Sequence, residues 1–333
     1  MTARFVRMLA MAAAVTFAAS CSGVESPDVG AAATQTPAFP NTDMPMAPTL
    51  EARLVQAQSA ALERGADVSI SVFDRTSNRY LEVGGDQQIE TASVAKLFIA
   101  EDLLQQDAHG QRALSDDDWV LMEAMLEASD DNAANTLWEA AGGPDLVTRV
   151  AERYSLVSTT APVDGMWWNT ETTSHDLITF YDGILDDVTQ LGEARSSKLV
   201  NDLRQSTPTA ADGYDQRFGL PEALFDEPVL GVKQGWMCCI NDRWLHLSTA
   251  VVGEDNRYIV AIASREDIQY PGDDNDDAYP DTSFTDVIDD DSALHARDTV
   301  TGVTQILFPD GAIDDWSKPQ TPNDQPVQEA SGR

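Results

Sequence analysis

The run Thr91-Ala92-Ser93-Val94-Ala95-Lys96-Leu97-Phe98 sets a serine and, three residues on, a lysine at the mouth of an apolar stretch with helical spacing. Residues three apart share a helix face, so the Lys96 amine can reach the Ser93 hydroxyl. A serine hydroxyl is a weak nucleophile until a base is held beside it and donors face the oxyanion that forms. The unpaired amides of a helix start supply such donors. Upstream, Leu50, Leu54, Ala57, Ala61 and Leu62 recur at helical intervals over about 48–64, and Gly65 stops them. Residues 68–73 alternate as a strand, Thr76-Ser77-Asn78 turns, and residues 80–83 return. From 95 to 203 the pattern is almost wholly helical, with a segment capped by Ser115 and others near 132–141, 144–154 and 174–185. Strands over 229–239, 244–252 and 258–264 follow, and a helix over about 293–308 closes the pattern. This order predicts an α/β (α+β) three-layer sandwich. A five-stranded antiparallel sheet carries the terminal helices on one face and an all-helical lobe, inserted after the second strand, on the other.

The chain has 333 residues, 42% of them apolar, enough for a substantial core. Against 21 basic residues stand 56 acidic ones, a net charge of -35. A phosphate backbone would be repelled, so nucleic acid is excluded as a partner, and so is electrostatic adhesion to anionic lipid. Lysine is scarce: Lys96, Lys198, Lys233 and Lys318 are all there are.

Arg4 and Arg7, an apolar run from Met8 to Ala19 and a small-residue site make residues 1–20 a secretory signal, too short to span a bilayer stably. Because the site ends at Cys21, it resembles the lipobox of bacterial lipoproteins, which implies lipid attachment at Cys21 and an extracytoplasmic, membrane-anchored protein. Residues 21–47 read as a flexible tether, 48–308 as one folded domain with an acidic segment over 267–291, and 309–333 as a loose tail. Within the acidic segment Asp273-x-Asn275-x-Asp277 lacks the glycine and distal glutamate of a calcium loop, so no metal site is expected. Cys238 and Cys239 adjoin in a strand, where neighbours point to opposite faces, and are expected to pack as small apolar groups.

Two further stretches, Ser129-Asp130-Asp131-Asn132 and Lys233-Gln234-Gly235-Trp236, join Ser93-x-x-Lys96. In order, spacing and context the three resemble the Ser-x-x-Lys, Ser-Asp-Asn and Lys-Thr-Gly marks of serine β-lactamases and penicillin-binding proteins, most closely the class A-like branch. The resemblance covers about residues 50–308. It implies Ser93 as acylated nucleophile, Lys96 as its proton acceptor, Ser129 as proton relay to the leaving nitrogen, and Lys233 as the cation beside the cleft. It further implies an oxyanion hole from the amides of Ser93 and Trp236, substrate contacts from Asp131, Gln234 and Gly235, and no cofactor. A β-lactam or peptidoglycan peptide would be the substrate, and the chain a monomer touching the membrane only through its anchor.

This sequence departs from the family at three places. Asp131 stands where the family has an asparagine, unless a one-residue slip brings Asn132 into the site; an ionised carboxylate accepts but cannot donate, and close to Lys96 it favours the protonated amine. Gln234 replaces threonine and keeps a donor on a longer arm. Between 157 and 173 there is no Glu-x-x-Leu-Asn pattern of the kind class A β-lactamases use to hold the hydrolytic water; Asp164 and Glu171 are the carboxylates available, and Glu171 is expected to cap the helix beginning near Ser174. Trp167 and Trp168 are expected to roof the cleft or pack the lobe, and His175 and His246 to be structural. The alternative to an enzyme is a non-catalytic envelope lipoprotein that uses the cleft to bind peptidoglycan or a partner.

Overall fold

The computed structural model describes residues 48–270 and 290–313. The expected leader, Cys21, the tether up to residue 47, most of the acidic segment and most of the tail lie outside the described residues. Helix α1 (Leu50–Glu63) starts where the Thr49 hydroxyl accepts the Ala52 amide. It buries Leu50, Leu54, Ala57 and Ala61, the residues whose spacing announced it. Strands β1 (Ala66–Asp74) and β2 (Arg79–Val83) form the first hairpin, and a short β3 (Ile89–Glu90) leads into a 3-10 turn over Ala92–Ala95. The helical lobe then comprises α2 (Lys96–Ala108), α3 (Asp116–Glu127), α4 (Asp131–Ala141) and α5 (Asp145–Tyr154). After β4 (Glu171–Thr172), which pairs with β3, come α6 (Ser174–Leu185), α7 (Glu193–Arg204) and a single turn α8 (Leu220–Ala223). Strands β5 (Leu230–Ile240), β6 (Arg243–Val252) and β7 (Tyr258–Asp267) and helix α9 (Asp291–Leu307) complete the domain.

The main sheet is antiparallel with order β2-β1-β7-β6-β5, so β5 is an edge strand. Strand alternation divides the interior into two cores. Ile259, Ala261 and Ala263 of β7 and Leu245, Leu247 and Val251 of β6 face the helical lobe. Tyr258, Val260 and Ile262, with Trp244, Ala250 and Val252, face α1 and α9. Each fully buried Leu, Ile or Val stabilises by about 1.5–3 kcal/mol. A slip of one residue would exchange the two faces of a strand, so burial on both sides fixes the register.

Helix α7, with only Leu199, Val200 and Leu203 as apolar anchors among polar residues, and the small β3–β4 ribbon were not expected. Glu171 sits in β4 rather than at a helix cap; Thr173 caps α6, its hydroxyl accepting the Asp176 amide at 3.0 Å. Nor do Cys238 and Cys239 pack as separate thiols, for they are joined in a disulfide. The β5–β6 register is irregular between Met237 and Ile240, which breaks the alternation that would hold the two side chains apart.

Candidate active site

Ser93 sits in the 3-10 turn that runs directly into α2, and Lys96 is the first residue of that helix. Both are buried, Lys96 completely, because Val94, Ala95, Leu97 and Phe98 anchor the segment in the lobe core. Ser129 lies in the bend between α3 and α4 with a left-handed backbone, φ 55°, uncommon for a non-glycine residue. Asp130 caps α4 by accepting the Ala133 amide at 2.9 Å, and the cap points the next side chain, Asp131, at Lys96. Lys233 arrives from β5.

These four pieces converge. The Lys96 Nζ lies 2.9 Å from Ser93 Oγ, 2.6 Å from the Ser129 carbonyl, 3.1 Å from Ser129 Oγ and 2.5 Å from Asp131 Oδ1. Lys233 Nζ donates to Ser129 Oγ at 2.9 Å. The Ser129 carbonyl and the Asp131 carboxylate can only accept, so they take two N–H groups of Lys96. What faces the two hydroxyls is then either the third N–H of an ammonium or the lone pair of an amine, and the lone pair can take the Ser93 proton. Burial lowers the proton affinity of Lys96, opposed chiefly by the Asp131 charge; the net direction is below that of an ordinary lysine. Burial, reinforced by the Lys96 charge, holds Lys233 well below it.

Gly235 sets the approach of β5 to the nucleophile. A methyl there would come within 2.7 Å of the Thr91 carbonyl and 3.3 Å of the Ser93 amide nitrogen. The backbone of the edge strand therefore passes directly beside the Ser93 turn, with Trp236 next along it. Asp131, not Asn132, is the residue that meets Lys96, so the direct register of the motif holds.

Gln234 does not serve the cleft. Its neighbours Val232 and Trp236 pack toward the terminal helices, and alternation puts Gln234 on that same face. There its Nε2 donates to the Phe218 carbonyl, and its Oε1 is buried without a partner. The donor on a longer arm expected from the sequence points away.

No carboxylate from residues 157–173 reaches Lys96. Asp164 accepts from the Met166 amide and from Asn169 Nδ2, and Glu171 is exposed and accepts from the Thr160 hydroxyl. In their place stands Trp167, 3% exposed, its ring centroid 4.8 Å from Lys96 Nζ and its Nε1 donating to Asn135 Oδ1 at 2.8 Å. Trp168 packs edge-on against it. His246 is bonded to the Tyr214 hydroxyl at 2.7 Å, and burial with the nearby Arg297 charge pushes its pKa down to about 3. It is a neutral packing residue. Sequence reasoning missed the segment 207–218, which follows α7 and packs beside the motif. There the Ala211 amide donates to the Ala128 carbonyl at 2.7 Å, and Tyr214 stacks on Trp236. Its only signal was proximity in the fold.

No family model matches the chain. A protein of Mycobacterium tuberculosis described as "Putative lipoprotein LppW" is 44% identical to it over 276 residues, 83% of this chain and 79% of that protein. A β-lactamase from Chitinophaga pinensis superposes with a TM-score of 0.58 at 12% identity, covering 77% of this chain and 98% of the other. PBP-A superposes with a TM-score of 0.56 at 16% identity over 77% and 94%. The fold is that of the class A β-lactamases and PBP-A.

Proposed function

We propose that this chain, which belongs to the family of the mycobacterial lipoprotein LppW and carries the class A β-lactamase fold, is a serine hydrolase that forms an acyl-enzyme on Ser93. The observation that supports the reading is the chain of hydrogen bonds that joins Ser93 to Lys96, Lys96 to Ser129 and Ser129 to Lys233. In this reading the Ser93 oxygen adds to a lactam or D-alanyl carbonyl as its proton passes to Lys96. Ser129, held between the two lysines, then returns a proton to the departing nitrogen. The Ser93 and Trp236 amides take the oxyanion. Deacylation is slow, because an indole rather than a carboxylate covers Lys96 on the side of the 157–173 segment. Among the described residues no helix is long and apolar enough to cross a membrane. Anchorage would come from a lipid on Cys21, placing the domain outside the cytoplasmic membrane.

The test is incubation with a fluorescent penicillin followed by intact mass and peptide mapping. A single adduct on Ser93 that persists for many minutes is expected. No adduct from the penicillin, nor from an uncharged activated ester of N-acyl-D-alanine, under conditions in which the penicillin labels a known penicillin-binding protein would remove the reading. One observation favours a second: the Lys96–Asp131 ion pair suits a cleft that binds without reacting. Under that reading Ser93→Ala leaves the cellular phenotype of the protein intact.

A further inference from the structure

The cleft holds its charge in an arrangement that bears on substrate choice. Asp131 is 61% exposed on its side chain; only its Oδ1 is bonded, to Lys96, and among the described residues its Oδ2 accepts no hydrogen bond. Asp212 follows Ala211, whose amide is bonded to the Ala128 carbonyl next to Ser129, so this second exposed carboxylate stands at the same opening. Its field acts on both Lys96 and Lys233, and that of Asp130 also acts on Lys96. Asp212 is held in place by its own chain, its Oδ1 accepting the Tyr214 amide at 2.9 Å.

Among the described residues, the cations of this neighbourhood are engaged with other partners. Arg217, the exposed cation of the 207–218 segment, is bonded to Asp215 at 2.6 Å. Arg297 is 8% exposed and lies over the Tyr214 ring. Lys233 is buried and bonded to Ser129. The Gln234 amide, the one neutral donor beside Lys233 in the motif, is turned to the Phe218 carbonyl on the opposite face of the sheet. A substrate carboxylate would thus meet two exposed anions and lose a donor, whereas a protonated amine would meet unpaired carboxylate oxygens.

Resting on the acyl-enzyme reading above, we propose that this site acylates faster with donors, esters or amides, that carry a protonated amine near the scissile bond than with donors that carry a carboxylate there, with Asp131 and Asp212 as the residues that set the preference. The covalent step is unchanged. The Ser93 Oγ–C bond forms, the bond from that carbon to the leaving oxygen or nitrogen breaks, and the Ser93 proton leaves with the departing group by way of Lys96 and Ser129.

The experiment uses two sets of small activated esters of N-acylated D-alanine, whose blocked amine is uncharged, with the charge placed in the acyl half in one and in the leaving half in the other. Each set has a cationic, a neutral and an anionic member, and the rate of Ser93 acylation is followed by intact mass. In at least one set the cationic ester should acylate Ser93 at least tenfold faster than the anionic one. The ratio should fall as salt rises from about 0.1 M to about 1 M, where the Debye length shrinks from about 10 Å to about 3 Å. In Asp212→Asn, which keeps an oxygen for the Tyr214 amide, the ratio should drop at least threefold. Equal rates, a preference for the anion, or a ratio that survives both salt and Asp212→Asn would overturn the proposal while leaving the acyl-enzyme intact. Absence of any adduct from all six esters would overturn both.

Discussion

The Lys96 ammonium position and the Asp131 carboxylate lie 2.5 Å apart, with the lysine side chain wholly buried and the aspartate mostly in solvent. An ion pair of this kind opposes the effect of burial, stabilising the charged form of a residue that must lose its proton to act as a base. Replacing Asp131 with asparagine removes that opposition and keeps an oxygen that can accept from Lys96. The pKa of Lys96 then falls further, so the amine is free at lower pH and the rising limb of the acylation profile moves toward acid. The exposure of Asp131 lets solvent screen its charge, so the displacement is modest in size and acidic in direction. A pH profile of Ser93 labelling in the two proteins measures it directly. A limb that stays in place or moves to higher pH would show that Asp131 does not hold the Lys96 proton.

Gly235→Ala should abolish labelling with little loss of fold. The added methyl meets the Thr91 carbonyl at 2.7 Å, a backbone atom that cannot swing aside, so strand β5 and the Ser93 turn must separate. A displacement of about 1 Å at reacting groups costs about 100-fold in rate. In contrast, Gly302→Ala in α9 meets nothing within 4 Å and should raise stability by about 0.5–1 kcal/mol. Thermal melts and labelling rates of both variants separate a loss of geometry from a loss of folding.

The fold was legible because its elements announce themselves by period. The two-residue alternation of β6 and β7 and the helical spacing of Leu50, Leu54 and Ala57 each survive in the two cores. The Ser93, Lys96, Ser129 and Lys233 cluster was legible because three short motifs, in order and at recognisable spacing, carry it. Gln234 was misjudged because its residue type suggests a donor, while its face is decided by strand parity and its partner, the Phe218 carbonyl, comes from a segment with no pattern of its own. Helix α7 was missed because too few apolar residues mark its buried side. The proximity of Trp167 to Lys96 depends on the path of an irregular loop, which periodicity does not encode.

Trp167 should act as a shutter on the acyl-enzyme. Removing its side chain in Trp167→Ala opens space beside Lys96 into which water can enter, and hydrolysis of the penicilloyl adduct should quicken several-fold. The change also leaves Asn135 Oδ1 without its donor and creates a cavity, at a cost of about 3–5 kcal/mol. Trp167→Phe keeps an aromatic cover but not the indole N–H, so it should lose stability without quickening hydrolysis. Timed decay of the labelled species in the three proteins decides between cover and hydrogen bond as the cause.

The helical lobe is held by a buried charge cluster whose disruption should be visible in stability and in its pH dependence. Glu101 and Asp102 are both fully buried; Arg153 bonds to each, at 2.5 Å and 2.8 Å, and Arg149 bonds to Asp102 at 2.6 Å. Burial drives the Glu101 pKa up, opposed by Arg153; for Asp102 the same desolvation is outweighed by its arginine and Gln106 hydrogen bonds, and its pKa is lowered. Arg153→Met would leave Glu101 with only the Tyr154 hydroxyl, at 3.1 Å, and Asp102 with Arg149 and Gln106. Breaking a buried pair from one side costs about 3–5 kcal/mol. Without Arg153 both folded-state pKa values rise, that of Glu101 further above its unfolded value, so the folded variant holds a proton over the range between the folded-state pKa of Glu101 in the parent and the higher one in the variant. Its stability should therefore decline, relative to the parent, as pH rises through that range. Denaturant melts at about pH 5 and about pH 7 should show the larger deficit at the higher pH. A deficit that is the same at both, or larger in acid, would mean that Arg153 contributes by packing its aliphatic stem and not by holding the two carboxylates ionised.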